Sequence, residues 1–295
     1  MKGLIVTADD FGAALDVNEA VEIAHQRGVL TTASLMVAGQ AAADAVRRAR
    51  RLPGLRVGLH LVLVEGAPLL PPEALAGLVD KAGRFRSDMA RAATALFFSP
   101  RLRRRASAEV EAQFDAFAAT GLRLDHVTVH KHYHLHPTVA GLVLAAGARH
   151  GLRSARVPLE PEGVLAAADP AYRPATPWLT GPWAALTAAR FRAAGVHVPD
   201  HSFGLRWSGA MTAARLQGLV RRLPDGISEI FLHPAMGPAF PGSAPGYGYA
   251  AELDALLSGS VREAVAVAGA RLGGFADFLG GGAHSSAPMA VVARS

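Results

Sequence analysis

The chain has 295 residues, of which 51% are hydrophobic and 18% are charged, a composition typical of a globular protein. It contains no cysteine, which excludes thiolate metal sites, cysteine nucleophiles and disulfides. The formal net charge is +6, with arginine-rich stretches at 47–51 and 101–105, so acidic partners must be weighed against an ordinary solvated surface. The N-terminal apolar run is too short for a secretory signal, and no run of about 18 apolar residues predicts a membrane span, so we expect a cytoplasmic protein.

Short apolar segments alternate with longer amphipathic ones. In order, we predict a strand at 4–8, a helix at 17–27, a strand at 33–37, a helix at 41–51, a strand at 55–59, a helix at 106–120, and strands at 124–130, 155–158 and 229–232. This alternation predicts an α/β fold, a distorted TIM-like barrel of parallel strands with the active site at their C-terminal ends. We expect one domain over 1–279, with a lid or insertion at about 169–200, and a disordered tail at 280–295.

Acidic and imidazole side chains stand where the apolar strand segments stop. Asp9 and Asp10 follow the first strand, and His60, His130 and His233 each follow a later one. Because the C-terminal ends of parallel strands converge on the ligand site, we expect these groups at one rim. Two imidazoles and one carboxylate with an open coordination position form a usual catalytic site for hydrolysis by Zn²⁺, and Asp10, His60 and His130 would supply it.

Two further roles are predicted at the same rim. Asp9 would take a proton from the attacking water, because Gly12 allows a sharp turn that lets adjacent carboxylates face one site. The alternative is that Asp9 and Asp10 cap the next helix. His233, which precedes Pro234, would protonate the leaving group, and the alternative is a histidine satisfied within the core.

The segment 126–136 is rich in histidine. Its histidines all have the same parity, at the positions His126, His130, His132, His134 and His136. In an extended strand they would lie on one face. Each buried imidazole needs a hydrogen-bond partner, so metal binding or polar substrate contact is favoured over a packed core, with a histidine-rich surface strand as the alternative.

Four short blocks carry a resemblance to a known family. The segments 7–12, 58–60, 130–134 and 232–234 resemble the signature blocks of the YdjC-like carbohydrate deacetylases, which include chitooligosaccharide deacetylases. The resemblance implies a distorted α/β barrel, a divalent metal ion and hydrolysis of the N-acetyl group of a sugar. The site residues that it implies are Asp10, His60 and His130 as metal ligands, Asp9 as base, His233 as acid, and His132, His134 and Arg156 near the substrate.

The chain departs from the family at one position and is similar to one branch of it. Thr128 stands where the family usually has an aspartate that could orient a metal-binding histidine. The segment 129–137 is similar to the hopanoid-biosynthesis-associated branch, which implies an N-acetylglucosamine linked to a hopanoid lipid as substrate. The family also implies a homodimer.

The expected cofactor is one divalent metal ion, with Zn²⁺ favoured by the two imidazoles and Mg²⁺ as the alternative. The expected partner is an N-acetylated glycan or glycolipid, and no nucleic acid. Aromatic and basic residues mix at 95–105 and 178–192, which suits peripheral contact with an anionic inner membrane, although an amphipathic core helix with a basic edge gives the same pattern. The alternatives in function are a chitooligosaccharide deacetylase, another metal-dependent carbohydrate hydrolase or phosphoesterase, and a basic binding protein without enzyme activity.

Overall fold

The computed structural model describes residues 2–174 and 181–279. Its strands are β1 (Lys2–Phe11), β2 (Thr32–Leu35), β3 (Arg56–Leu61), β4 (Val127–Val129), β5 (His201–Phe203), β6 (Gly226–Leu232) and β7 (Arg271–Leu272). They form a curled sheet in the order β4-β3-β2-β1-β6-β5, with β7 also pairing with β1, and the pairings between strands are parallel. The long β1 is apolar and almost wholly buried, as expected of a central parallel strand.

Helices occupy most of the connections, because parallel strands need a crossover to return to the same edge. They are α1 (Leu15–Arg27), α2 (Ala42–Arg51), α3 (Met89–Phe98), α4 (Pro100–Ala119), α5 (Pro137–Arg149), α6 (Glu162–Ala168), α7 (Gly181–Ala193), α8 (Ala213–Arg221), α9 (Tyr249–Leu257), α10 (Gly259–Val267) and α11 (Phe275–Leu279). A 3₁₀ helix (His130–Leu135) directly follows β4. The alternation of strands and helices predicted from the sequence is therefore confirmed.

An irregular segment, residues 153–159, joins the two edges of the sheet. On the β4 side, Val127 N donates to the Ser154 carbonyl and Arg156 N donates to the Val127 carbonyl, both at 3.0 Å. On the β5 side, Ser202 N donates to the Leu159 carbonyl at 3.0 Å. The curled sheet is thus closed by backbone hydrogen bonds through a non-strand segment, which confirms the distorted barrel.

The prediction of a regular strand at 155–158 is wrong. Ala155 makes only an isolated parallel bridge with Val127, and the segment forms no continuous strand. Pro158 has no N–H to contribute to a ladder, which explains why an apolar run does not propagate as a strand here.

The strand predicted at 124–130 is also too long, and this overturns the prediction of five imidazoles on one face. Strand β4 ends at Val129, and the chain then turns through Lys131 and His132, whose φ angles are +54° and +51°. Two consecutive residues in the left-handed conformation break the alternation of side chains that an extended strand would have. The histidines of this segment therefore point to different surroundings.

The predicted insertion at 169–200 contains α7, which packs against α5 and the 3₁₀ helix. Residues 175–180 of that insertion and the predicted tail at 280–295 lie outside the described residues. Within residues 2–174 and 181–279, no helix combines the length and the apolar character needed to cross a membrane.

Candidate metal centre and active site

The C-terminal end of β1 turns two adjacent carboxylates toward one rim of the barrel. Asp10 has a φ of +61°, and the register of β1 against β2 shifts between Ala8 and Phe11. This bulge breaks the alternation that would send neighbouring side chains to opposite faces. Helix α1 begins only at Leu15, after Ala14, so the alternative that the aspartates cap this helix is wrong.

The three predicted metal ligands meet at this rim. Asp10 Oδ1 lies 3.4 Å from His60 Nε2 and 3.5 Å from His130 Nδ1, and the two ring nitrogens are 3.3 Å apart. Asp10 Oδ1 is buried and has no hydrogen-bond partner in the described part of the chain. One ligand atom from each residue lies within 4.8 Å of the others, which fits a single divalent cation bound by two imidazoles and a carboxylate.

Thr128 sets the orientation of one of these imidazoles. Its Oγ1 lies 2.7 Å from His60 Nδ1, and both side chains are buried. A proton on Nδ1 that is donated to Thr128 leaves the lone pair of Nε2 directed at Asp10 and His130. Burial lowers the pKa of His60 to about 4 despite the nearby carboxylates, so the ring is neutral and able to bind a metal at neutral pH. The threonine therefore orients a candidate metal ligand without bringing a charge.

Asp9 lies beside the triad and is held by a buried cation. Its Oδ2 accepts a hydrogen bond of 2.5 Å from Arg156 Nη1, and it lies 3.9 Å from His233 Nε2. Its Oδ1 is buried without a hydrogen-bond partner among the described residues and lies 3.9 Å from His60 Nδ1. Burial alone would raise the pKa of Asp9, but Arg156, His60 and His233 outweigh it and hold the pKa well below its usual range. Asp9 is therefore ionised at neutral pH.

Arg156 belongs to a charge network inside the barrel. Its Nε and Nη2 donate to Glu229 Oε1 at 2.9 and 2.7 Å, and its guanidinium lies 4.1 Å from the centre of the Phe231 ring. Glu229 also accepts from Thr7 at 2.8 Å and from Ser202 at 2.7 Å. Arg156 is only 1% exposed, so its nitrogens are committed to these two carboxylates. This placement favours positioning of Asp9 over direct contact with a substrate.

The network around Glu229 was missed by the sequence analysis, although a signal was present. Glu229 interrupts an apolar strand, and it has the same parity as Phe231 and His233. That parity places its carboxylate on the face of β6 that also carries His233. A charged residue at an inward position of a buried strand needs a partner, and Arg156 supplies it.

His233 directly follows β6 and lies beside Asp9. Its backbone N donates to Glu252 Oε2, whose distance to the ring Nδ1 is 3.8 Å. Its ring lies 5.4 Å from that of Tyr247. Glu252 also accepts from Met211 N at 3.0 Å, which anchors the carboxylate under the imidazole. With Nε2 near Asp9 and the side chain 14% exposed, the His233 imidazole is held by Glu252 and is partly open to solvent.

His132 and His134 lie behind the triad. The His132 ring is 5.1 Å from Phe231, and the His134 ring is 6.1 Å from Phe191. Burial holds the pKa of His132 well below its usual range and lowers that of His134 to about 3, so both rings are neutral. His126 is directed elsewhere, into a separate buried cluster, and His136 lies beside Phe97.

A cleft opens directly over Asp10 and His130. Its other walls come from four loops and combine apolar side chains with the charged Glu65 and Arg84; the lining residues are Met36, Gln40, Val62, Glu65, Arg84, Phe240 and Pro241. A cleft that combines apolar and polar groups in this way can both bury and orient a small polar ligand.

A family match covers nearly the whole chain. The family described as YdjC-like protein matches residues 3–267. The chain belongs to the YdjC-like family. The match spans the described site residues, from the aspartates at the C-terminal end of β1 to His233, which confirms the resemblance inferred from the sequence blocks.

Individual relatives match this chain over different shares of their length. The chain is 31% identical to a chitooligosaccharide deacetylase from Enterobacter sp. (strain 638), over 94% of this chain and 99% of that protein. It is 40% identical to a carbohydrate deacetylase from Brevibacillus brevis over 48% of this chain and 54% of that protein, so this second match spans about half of the relative. Among solved structures, a protein from Enterococcus faecalis V583 described as a cellobiose-phosphate cleavage protein is similar, with 25% identity, a TM-score of 0.74, and coverage of 94% and 99%.

Proposed function

We propose that this YdjC-like protein is a metal-dependent deacetylase that hydrolyses the N-acetyl group of an N-acetylated sugar. The observation that carries the proposal is the convergence of Asp10, His60 and His130 within 4.8 Å, with Asp9 beside His60 and His233 beside Asp9. The names of the relatives, carbohydrate deacetylase and chitooligosaccharide deacetylase, support the same reaction and substrate class.

Asp10, His60 and His130 would hold the metal ion, and Zn²⁺ or another late first-row ion suits two imidazoles and one carboxylate. Such an ion, when bound, polarises a carbonyl oxygen and lowers the pKa of a water. The contribution of the chain is to fix the ligands: the Asp10 turn, the neutral His60 ring and the hydrogen bond with Thr128 define where the ion sits.

Asp9 acts as the general base. Its Oδ1 is unpaired and faces the site, while its Oδ2 is fixed by Arg156. Asp9 is ionised at neutral pH, which is the form that accepts a proton from the water that attacks the acetamide carbon. Because Arg156 fixes one oxygen, the other is presented in one orientation, which lowers the entropic cost of reaching the transition state.

His233 acts as the general acid. Its Nε2 lies 3.9 Å from Asp9 Oδ2, so the two groups are neighbours and both would reach the same bound amide. Proton donation to the departing nitrogen leaves an amine and acetate. Glu252, fixed by two backbone N–H groups, stabilises the orientation of the imidazole during this transfer.

A glycosidase is disfavoured by the same electrostatics. Glycoside hydrolysis needs one carboxyl group that is protonated at working pH, with a raised pKa. Cationic or imidazole neighbours instead hold the pKa values of Asp9 and Asp10 below their usual range, against the raising effect of burial. The lowered pKa values of Asp9 and Asp10 therefore argue against either group as that acid.

The finer substrate assignment that we propose is an N-acetylglucosamine linked to a hopanoid lipid. Its support is the similarity of the segment 129–137 to the hopanoid-biosynthesis-associated branch. Comparing kcat/KM for the lipid-linked sugar and for free chitooligosaccharides tests it. A preference for the free oligosaccharide would remove this assignment and leave the deacetylase proposal intact.

Acetate release from N-acetylglucosamine oligomers, measured together with bound metal, tests the main proposal. We expect a chelator to abolish acetate release and a divalent ion to restore it. His130→Ala should lose bound metal and lower kcat/KM by about a thousandfold or more, since several kcal/mol of transition-state stabilisation disappear.

His136→Ala is a matched control, because His136 directly follows the same 3₁₀ helix but lies beside Phe97, outside the triad. It should keep both metal and activity. Full acetate release by His130→Ala, or by the chelated protein, would refute the proposed function.

A further inference from the structure

Four large apolar side chains face solvent on two neighbouring helices. Phe97 and Phe98 end α3 and are 49% and 75% exposed, and Trp183 and Leu186 of α7 are 49% and 59% exposed. Such residues are normally scattered singly over a surface, so their grouping on two helices points to an interaction site.

Contacts through the N-terminus of α5 connect the two groups. The Phe97 ring lies 6.1 Å from that of His136, and Arg190 Nη1 donates to the carbonyl of the adjacent Pro137 at 2.6 Å. Arg190 follows Leu186 by four residues and Trp183 by seven, so the three share one side of α7. The exposed side chains of α3 and α7 therefore border one continuous surface.

Arginines without partners extend this surface at the start of α4. Arg101, Arg103 and Arg104 are exposed, and within the described ranges they make no ion pair or hydrogen bond through their side chains. The first turn of α4 contains no acidic residue. Cations there oppose the positive end of the helix dipole and weaken the helix, so helix stability does not explain them. Their charge is complementary to an anionic partner.

We propose that this surface docks the protein on an anionic lipid bilayer. We name it the aromatic–arginine face and define it by Phe97, Phe98, Arg101, Arg103, Arg104, Trp183, Leu186 and Arg190. Aromatic and leucine side chains partition into the interfacial region of a bilayer, and arginines pair with lipid phosphates. A nucleic acid would match the arginines but leave the exposed apolar side chains without a role.

The aromatic–arginine face lies close to the metal centre along the chain, so docking would affect how a substrate reaches the active site. The 3₁₀ helix begins with the metal ligand His130 and ends at Leu135, immediately before His136, which contacts the face through Phe97. Docking would therefore bring this side of the active-site rim toward the lipid headgroups, where a sugar carried on a lipid is presented. The docking itself requires neither the metal nor the deacetylase reaction.

Co-sedimentation of the full chain with vesicles tests the proposal. We expect the protein to bind vesicles of mixed phosphatidylcholine and phosphatidylglycerol, to bind pure phosphatidylcholine much less, and to be released by salt. Arg101→Gln with Arg104→Gln should lower the partition coefficient by about fivefold per arginine. Phe98→Ser should lower it by about tenfold, because an inserted apolar ring is lost.

Matched substitutions outside the face provide the control. Val267→Ser removes a side chain of α10 that is 79% exposed, and Arg221→Gln removes an exposed charge of α8, which packs against α10. Neither should change vesicle binding, and acetate release from soluble oligosaccharides should be unchanged in every variant.

Three results would overturn the proposal. The first is wild-type protein that stays in the supernatant with anionic vesicles, and the second is an equal loss of binding in the control variants. The third is a change of oligomeric mass in Phe98→Ser, seen by light scattering, with unchanged vesicle binding, which would assign the face to a second copy of the chain. Arg101 and Arg104 are exposed, so their replacement should not affect folding. Vesicle binding by Arg101→Gln with Arg104→Gln therefore tests the proposal even if Phe98→Ser destabilises the fold.

Discussion

Among the described residues, the rim cluster and a second buried cluster that also combines aspartate with histidine differ in whether their polar atoms are paired. At the rim, Asp10 faces His60 and His130, and its Oδ1 is buried without a hydrogen-bond partner in the described structure. Before β4, Asp125 Oδ2 lies 2.9 Å from His126 Nδ1, and His126 Nε2 lies 3.1 Å from Ser34 Oγ. The residue types of the second cluster are those of a serine hydrolase triad.

The second cluster is nevertheless structural. Asp125 accepts from the backbone N–H groups of Phe275 and Ala276 at 3.1 and 3.0 Å, and the His126 ring stacks on Phe275 at 4.1 Å. His126 is completely buried, and a Cβ at Gly58 would lie only 2.6 Å from its ring. Residue type does not separate the clusters, but the satisfaction of their polar atoms does: a buried polar atom left unpaired needs an explanation, and a bound cation supplies one.

The largest expected effect comes from the same substitution, aspartate to asparagine, made beside the first cluster and within the second. Asp9→Asn should lower kcat by about 10²–10⁴-fold, because the amide cannot accept the proton of the attacking water. Bound metal should be retained, since the triad is intact. Asp125→Asn should leave kcat and metal content unchanged. Steady-state acetate release with metal analysis checks both, and an active Asp9→Asn would assign the base to another group.

The converse expectation concerns stability. Asp125→Asn replaces a carboxylate that accepts two backbone N–H groups and contacts His126, so we expect a loss of about 2–3 kcal/mol in the free energy of unfolding. Urea denaturation measures this loss. An unchanged unfolding midpoint would mean that α11 does not depend on this contact.

Thr128 offers a finer test of the metal centre. Thr128→Val removes the hydroxyl that orients His60 and nearly preserves the volume, so metal affinity should fall about 10–100-fold. Thr128→Ser keeps the hydroxyl and should stay close to the wild type. Competitive titration with a metal-binding dye distinguishes them, and equal affinities in both variants would show that the hydrogen bond does not tune the ligand.

The smallest effect is a pH dependence. Burial lowers the pKa of His134 from 6.5 to about 3, so its contribution to stability is complete above pH 6.5 and is lost as the pH falls toward 3. His134→Phe keeps an aromatic ring near Phe191 and removes the titration. When the pH falls from 7 to 5, the free energy of unfolding of His134→Phe should therefore decrease by about 2 kcal/mol less than that of the wild type. Denaturant unfolding at several pH values checks this, and parallel pH profiles would contradict it.

The sequence predicted which residues meet at the site, but it did not predict the backbone turn and the side-chain network that hold them in place. Strand ends in a parallel fold meet at one rim, so Asp10, His60 and His130 could be grouped from the positions where apolar runs stop. The turn at Lys131 and His132 could not be foreseen, because neither residue is a glycine and nothing local marks a left-handed pair. There, tertiary contacts override the extended pattern.

The network around Arg156 could not be predicted from local sequence patterns. Its carboxylate partners are 147 and 73 residues away, and their proximity follows from how the barrel closes. The predicted strand at 155–158 located the segment but not its irregular course. Strand periodicity describes regular ladders, whereas this segment makes only isolated bridges.

The seam of the barrel has a further consequence. The segment 153–159 stands where a regular strand would otherwise complete the circle, and Arg156 extends inward from it to hold Glu229 on one side and Asp9 on the other. One side chain thus holds the closure of the barrel and the orientation of Asp9 at the same time. Loss of the Arg156 guanidinium would therefore disturb both together, so stability and the geometry of the candidate site are coupled at this position.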